Sequence, residues 1–261
     1  MNISLTNKNA LVCGSSKGIG KACAVELALL GANVTLVARN EDELKHALHD
    51  LDTSKHQRHD YLVADFSFPQ DLKARVAEKL KSKTFHILVN NTGGPAAGEI
   101  THATEEQFIS AFEHHLLCNH ILATLLLEGM KKENYGRIIN IISTSVKIPL
   151  KGLGVSNTIR AAVANWSKTL ANEVAQFGIT VNNVLPGGTN TDRLNEILKS
   201  KAHKTGKTIA EIETEMIIEI PMKRFGSPIE VGSAVAFLAS PAAAYITGIN
   251  LPVDGGRTGS L

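Results

Sequence analysis

A chain of 261 residues has room for one α/β domain of ordinary upper size or two small ones. With 43% hydrophobic and 20% charged residues it buries a large core, which excludes a disordered chain, and a net charge of +2 argues against nucleic acid or an anionic membrane as partner. The three cysteines lack metal-ligand spacing, no basic apolar leader opens the chain, and the apolar run Ile121 to Leu127 is too short to span a bilayer, so a cytoplasmic protein with no metal is expected.

Ala10 to Val12 reads as a buried strand that breaks into Gly14, Ser15, Ser16, Lys17, Gly18, Ile19 and Gly20. A helix follows over Lys21 to Leu30 and stops at Gly31. Strand, glycine-rich turn and helix begin a βαβ unit. Gly14 allows the sharp turn, Gly18 lets a pyrophosphate reach the backbone, and Gly20 lets helix and strand pack closely. A tight turn without a ligand would use the same residues, so the rest of the chain must decide. A second strand, Asn33 to Ala38, precedes a helix over Glu41 to Leu51. A third, Tyr61 to Ala64, ends in Asp65 and precedes a helix over Pro69 to Leu80. The fourth strand, His86 to Asn90, runs into Asn91, Thr92, Gly93, Gly94 and Pro95, and a long helix covers Glu105 to Met130. Gly136 to Ile142 is a fifth strand, followed by Ser143, Thr144 and Ser145. A helix over Val155 to Ala175 shows Ile159, Val163, Trp166, Leu170 and Val174 on one face. The sixth strand, Ile179 to Leu185, ends in Pro186, Gly187 and Gly188. Interrupted helix from Thr191 to Ile220, a helix over Pro228 to Leu238 and a last strand, Ile246 to Val253, complete the chain.

Strands that alternate with helices, and that are apolar without alternation, predict an α/β fold with one Rossmann-type, doubly wound parallel sheet of about seven strands covered on both faces. No linker or repeat divides residues 1–261, so a single domain is expected. Ligands of such sheets lie outside the carboxyl ends of the strands, here the loops beginning at Gly14, Arg39, Asp65, Asn91, Ser143 and Pro186. The second strand ends in Arg39 and Asn40 rather than in an acid, and Lys17 adds a second cation at the same rim. Arginine there suits a 2′-phosphate, so NADP(H) is the expected cofactor; both cations as solvated surface charges are the plainer alternative.

These motifs together resemble the short-chain dehydrogenase/reductase family over nearly the whole length: CGSSKGIG (13–20), Asp65, NNTGG (90–94), GRIINIIS (136–143), PGGTNT (186–191) and YITGINLPVDGG (245–256). Within it the chain is most similar to β-ketoacyl-acyl-carrier-protein (3-oxoacyl-acyl-carrier-protein) reductases, in an atypical subgroup. The resemblance implies cofactor contacts from Gly14 through Gly20, Arg39, Asn40, Asp65, Phe66, Asn91, Thr92, Gly93, Arg160, Pro186, Gly187, Thr189 and Thr191. It implies hydride transfer at a carbonyl, alcohol or acyl-thioester substrate, a lid over roughly residues 190–220, and a homotetramer or homodimer built on the helix bearing Trp166 and on the last strand. Simple core packing is the other reading of Trp166.

The family's chemistry uses a serine after the fifth strand and Tyr-x-x-x-Lys in the next helix. Ser143 matches the serine, but Ser156 and Arg160 stand where tyrosine and lysine belong, His115 stands where a family asparagine would be with Asn119 one turn on, and Thr92 replaces the usual alanine. A serine hydroxyl is a far weaker acid than a tyrosine, whose pKa starts near 10. The catalytic candidates are therefore Ser143, Ser156, Arg160 and His115. Lys147 and Lys151 are further stand-in acids whose plainer reading, like that of His115, is structural or solvated. Tyr61 and Tyr135 lie at amino ends of strands and Tyr245 near the last strand, none well placed. The rival expectations are a catalytically silent NADP-binding protein acting as sensor or assembly partner, and a lyase or isomerase using Ser143 and His115. Lys199, Lys201, Lys204 and Lys207 could meet an anionic carrier, or simply be solvated.

Overall fold

The computed structural model describes residues 1–260. β1 (Asn9–Cys13) is apolar on both sides: Ala10 and Val12 enter one core, Leu11 and Cys13 the other. β2 (Asn33–Ala38), β3 (Asp60–Val63), β4 (Ile87–Asn90), β5 (Gly136–Ile141), β6 (Ile179–Pro186) and β7 (Asn250–Val253) join it in one sheet of order β3-β2-β1-β4-β5-β6-β7. Every neighbouring pair is parallel. The order reverses between β1 and β4, and a crevice opens there at the carboxyl edge.

The helices are α1 (Gly18–Leu29), α2 (Glu41–Leu48), α3 (Pro69–Leu80), α4 (Glu105–Ala111), α5 (Cys118–Lys132), α6 (Gly154–Val174), α7 (Asp192–Thr205), α8 (Ile209–Ile218) and α9 (Pro228–Ala239). α1, α2 and α9 cover one face of the sheet through Cys23, Leu27, Leu44, Val231 and Val235. α3, α5 and α6 cover the other through Leu72, Val76, Leu122, Leu126 and Val174. α7 and α8 close on a separate small cluster of Leu194, Leu198, Ile212, Ile220 and Phe225.

Three segments depart from the sequence reading. The long helix is not uniform: a π turn, Phe112–Leu117, separates α4 from α5. The hydrophobic pattern continues on either side of such a one-residue widening, so periodicity does not reveal it. The last strand is half its expected length, because Ile246 turns back to Ala243, Gly248 takes φ +71°, and pairing begins only at Asn250 against Asn183. The first helix starts earlier, at Gly18, inside the glycine turn. The interruption expected between residues 191 and 220 falls at Gly206 (φ +70°), after which Thr208 and Glu211 form a capping box that restarts the chain as α8. No helix of the described residues is long and apolar enough to cross a membrane.

Candidate functional site

The glycine turn is shaped as its spacing requires. Gly14 and Gly18 both sit at φ +57°, a conformation side-chain-bearing residues rarely adopt. A Cβ at Gly20 would lie 2.0 Å from the Gly14 carbonyl oxygen, so only glycine permits this contact of helix and turn. At Gly18 the neighbouring space is open apart from Thr191, 3.5 Å from where a Cβ would stand. Lys17 precedes α1 without capping it by its side chain, and the first turn holds no acid. The free N–H groups and the dipole of that helix end suit a phosphate. Asn91 locks the loop after β4 to this turn, donating from Nδ2 to the carbonyls of Cys13 (3.3 Å) and Gly14 (3.1 Å).

Several expected cofactor residues also have roles in the scaffold. Ser15 is fully buried, its hydroxyl donating to Val12 O and accepting the Val37 N–H. Asn40 caps α2 through the Glu43 N–H. Phe66 is buried and its carbonyl accepts the Cys118 thiol. Thr189 and Thr191 brace the loop after β6, Thr191 also capping α7. Gly187 is required because a Cβ would meet Asp254 at 2.7 Å. Arg39 stays at the rim beside Asp65. Burial opposes the Asp65 charge, but the Ser67 N–H and hydroxyl and the Arg39 guanidinium outweigh it and hold the carboxyl below its usual range. The sequence reading missed Glu43, which reaches back from α2 to accept the Ser16 hydroxyl at 2.8 Å. Its signal was the acidic first turn of α2.

Beyond the glycine turn, Thr92 and His115, and Ser156 and Arg160, come together in pairs. His115, carried inward on the π turn and only 5% exposed, shares a 2.8 Å hydrogen bond between its Nδ1 and Thr92 Oγ1. Burial, and then the Arg160 charge, push the imidazole down to about 3, so it is neutral at physiological pH and is no proton-donating cation. Ser156 and Arg160, one helical turn apart on α6, are joined by an Nε–H to Oγ bond of 3.3 Å, and Arg160 Nη1 donates to Ile141 O. Burial lowers Arg160 to about 10, which leaves it protonated. Thr92, His115, Asn119, Ile141 and Arg160 line one small cavity. Ser143 follows directly, its Oγ accepting the Ser145 N–H at 3.1 Å.

No tyrosine reaches this cavity. Tyr61 donates to Glu41, Tyr135 to the Ala239 carbonyl, and Tyr245 is fully exposed. Lys151 lines a second cleft of about 710 Å³, with Ile100, Val146, Pro149 and Leu150, beside α6. Trp166 packs partly buried between two of the clusters, edge-on to His120. Arg193, at the start of α7, is a further site residue absent from the sequence reading; it holds Pro95 O at 2.7 Å and so joins α7 to the NNTGG loop.

A doubly wound parallel sheet with a glycine turn at its switch point, and a polar cluster at the opposite end of the same crevice, define a dinucleotide-binding α/β protein. A family model described as enoyl-(acyl carrier protein) reductase matches residues 14–258, and the chain belongs to that family, within the short-chain dehydrogenases/reductases. It is 36% identical to the 3-oxoacyl-[acyl-carrier-protein] reductase FabG of Vibrio cholerae, across 97% of this chain and 98% of that one. It is 31% identical to the NADPH-dependent reductase BacG of Bacillus subtilis, across 98% and 100%. The crystal structure of L-sorbose reductase from Gluconobacter frateurii, complexed with NADPH and L-sorbose, superposes over all of both chains with a TM-score of 0.93 at 33% identity.

Proposed function

We propose that this protein is an NADP(H)-dependent oxidoreductase that moves hydride to or from a carbonyl or hydroxyl carbon, similar to 3-oxoacyl-acyl-carrier-protein reductases but with a rebuilt proton-transfer end. The observation that carries it is the pairing of the departures. Thr92 bonds His115, Ser156 bonds Arg160, and Thr92, His115 and Arg160 line one small cavity, so the changes form a coherent polar arrangement rather than scattered losses.

The cradle fits a dinucleotide. Gly14, Gly18 and the α1 N-terminus would hold the pyrophosphate, Lys17 and Arg39 a 2′-phosphate, and the backbone of residues 91–93 with Arg160 the nicotinamide end. When bound, NADPH supplies the hydride. Arg160 keeps a fixed positive charge beside the site in place of the family's lysine, with different reach. Ser156 accepts the Arg160 Nε–H, which leaves its own O–H free to hydrogen-bond a carbonyl oxygen, with Ser143 as second hydrogen-bond donor, and the proton that oxygen gains is drawn through them from solvent. The guanidinium behind Ser156 offsets the negative charge that develops on that oxygen. The neutral His115 positions Thr92 and the NNTGG loop. The chain is read as one domain in which α7 and α8 form the lid, and as a homotetramer or homodimer.

The test is NADPH oxidation by purified protein across a panel of ketones, oxo acids and acyl thioesters. Turnover is expected, with Ser156→Ala lowering kcat by about 10²-fold at unchanged NADPH affinity, and Arg160→Ala raising the NADPH Kd by about tenfold. NADPH binding without turnover of any substrate would reject the enzyme reading. It would favour the silent NADP-binding alternative, which the absence of a tyrosine at the cavity supports. Reductase activity gained only by Ser156→Tyr with Arg160→Lys would establish that alternative.

A further inference from the structure

Arg160 is part-buried beside a second arginine, with no acid to answer it among the described residues. Its Nε and Nη1 donate to Ser156 Oγ and Ile141 O, both uncharged, and among the described residues no carboxylate pairs with it. Its remaining nitrogen, Nη2, faces Gly94, where a Cβ would stand 3.3 Å away. Arg193 converges on the same point from α7, its Nη2 at 3.8 Å and Nε at 3.9 Å. Arg193 is held there by Pro95 O, and the acid it pairs with, Glu196, lies on the exposed side at 3.3 Å from Nη1. The two cations feel each other: after burial, Arg193 is what lowers Arg160. Two guanidinium groups over a glycine, one of them part-buried and without a carboxylate, repel unless an anion lies between them.

We infer that Arg160 and Arg193 form a seat over Gly94 for a carboxylate of the substrate, so that this protein acts on oxo acids or hydroxy acids rather than on neutral ketones. The inference rests on the reductase reading of the site and names its substrate class. Arg160 would then serve the serine through Nε and, through the two N–H groups of Nη2, both the carboxylate and the nicotinamide end. Arg193 delivers its half only when α7 lies across the crevice, so the lid segment would also select the substrate's charge.

The experiment begins with binding, which needs no turnover. Protein saturated with NADP⁺ is titrated calorimetrically with pyruvate, acetoacetate and levulinate and with their methyl esters, and then Arg193→Gln is treated alike. At least one acid is expected to bind tenfold or more tighter than its ester. Arg193→Gln should erase most of that preference while the NADP⁺ Kd stays within twofold. In turnover the preferred acid should lose kcat/KM in Arg193→Gln chiefly through KM. Esters that bind as well as every acid would overturn the inference. So would a loss of NADP⁺ affinity in Arg193→Gln as large as the loss of acid affinity, since the pair would then serve a cofactor phosphate. Acid-selective binding with no reduction of any acid would leave the seat standing and reject the reductase reading instead.

Discussion

At the scale of single residues, the glycine turn and His115 carry the sharpest expectations. Gly20→Ala places a methyl 2.0 Å from the Gly14 carbonyl, which the rigid turn and helix cannot relieve. It should cost about 2–3 kcal/mol in urea unfolding and abolish NADPH binding. Gly18→Ala meets no such wall and should cost only the left-handed strain, about 1 kcal/mol. The two glycines look alike in the motif, and their neighbours tell them apart. His115 links pH to stability. Its folded pKa, about 3, lies far below the ~6.5 of an unfolded histidine, so the unfolded chain takes up the proton first as pH falls. Its contribution is complete above about pH 6.5 and declines by about 1.4 kcal/mol per pH unit toward pH 3. Between pH 7 and pH 4.5 the parent protein should therefore lose about 2–3 kcal/mol more than His115→Asn, read from urea midpoints at each pH. Equal losses would mean that the imidazole is solvated.

At the scale of elements, the sheet carries a row of asparagines that its apolar strands conceal. Asn90 Nδ2 donates to Asn140 Oδ1, Asn140 Nδ2 to Asn183 Oδ1, and Asn183 Nδ2 to Asn250 Oδ1, at 2.8–2.9 Å, across β4, β5, β6 and β7. Parallel register puts all four opposite one another. Asn140 has no exposed surface and also donates to Ser167 Oγ. Asn140→Leu fills the space but strands the Asn90 donor and the Asn183 acceptor in the core. The expected loss is about 2–4 kcal/mol, and the Asn91 loop beside the cofactor should loosen with it. Urea unfolding and NADPH titration read the two effects separately. The strands were legible from their apolar runs, but a polar residue in such a run does not show which neighbours it will face until strand order is known. The π turn escaped for a related reason: it changes helical phase by one residue and leaves the pattern on both sides intact.

At the scale of the whole molecule, α7 joins the two ends of the crevice. Lys17 Nζ meets Asp192 Oδ2 at 3.2 Å beside the glycine turn, and Arg193 meets Pro95 O at the end of the NNTGG loop. The first contact involves Lys17, which a bound dinucleotide would also touch, so ligand should order this segment. Trypsin is expected to cut first among Lys199, Lys201, Lys204 and Lys207, around the Gly206 break, and saturating NADPH should slow that cleavage several-fold. Unchanged cleavage would separate the segment from the cofactor.

By itself the sequence determined the doubly wound sheet, the place of the glycine turn, the cation at the end of β2 and the serine and arginine one helical turn apart at positions 156 and 160. Each of these is a local matter of apolar period, special backbone conformation or residue type at a fixed spacing. Only the tertiary structure decided that Ser15 and Asn40 serve the scaffold, that Glu43 reaches the turn, that Thr92 bonds His115, and that Arg193 faces Arg160 over Gly94. Those relations join residues from 3 to nearly 100 positions apart, and what a polar side chain does is settled by the partner folding sets beside it.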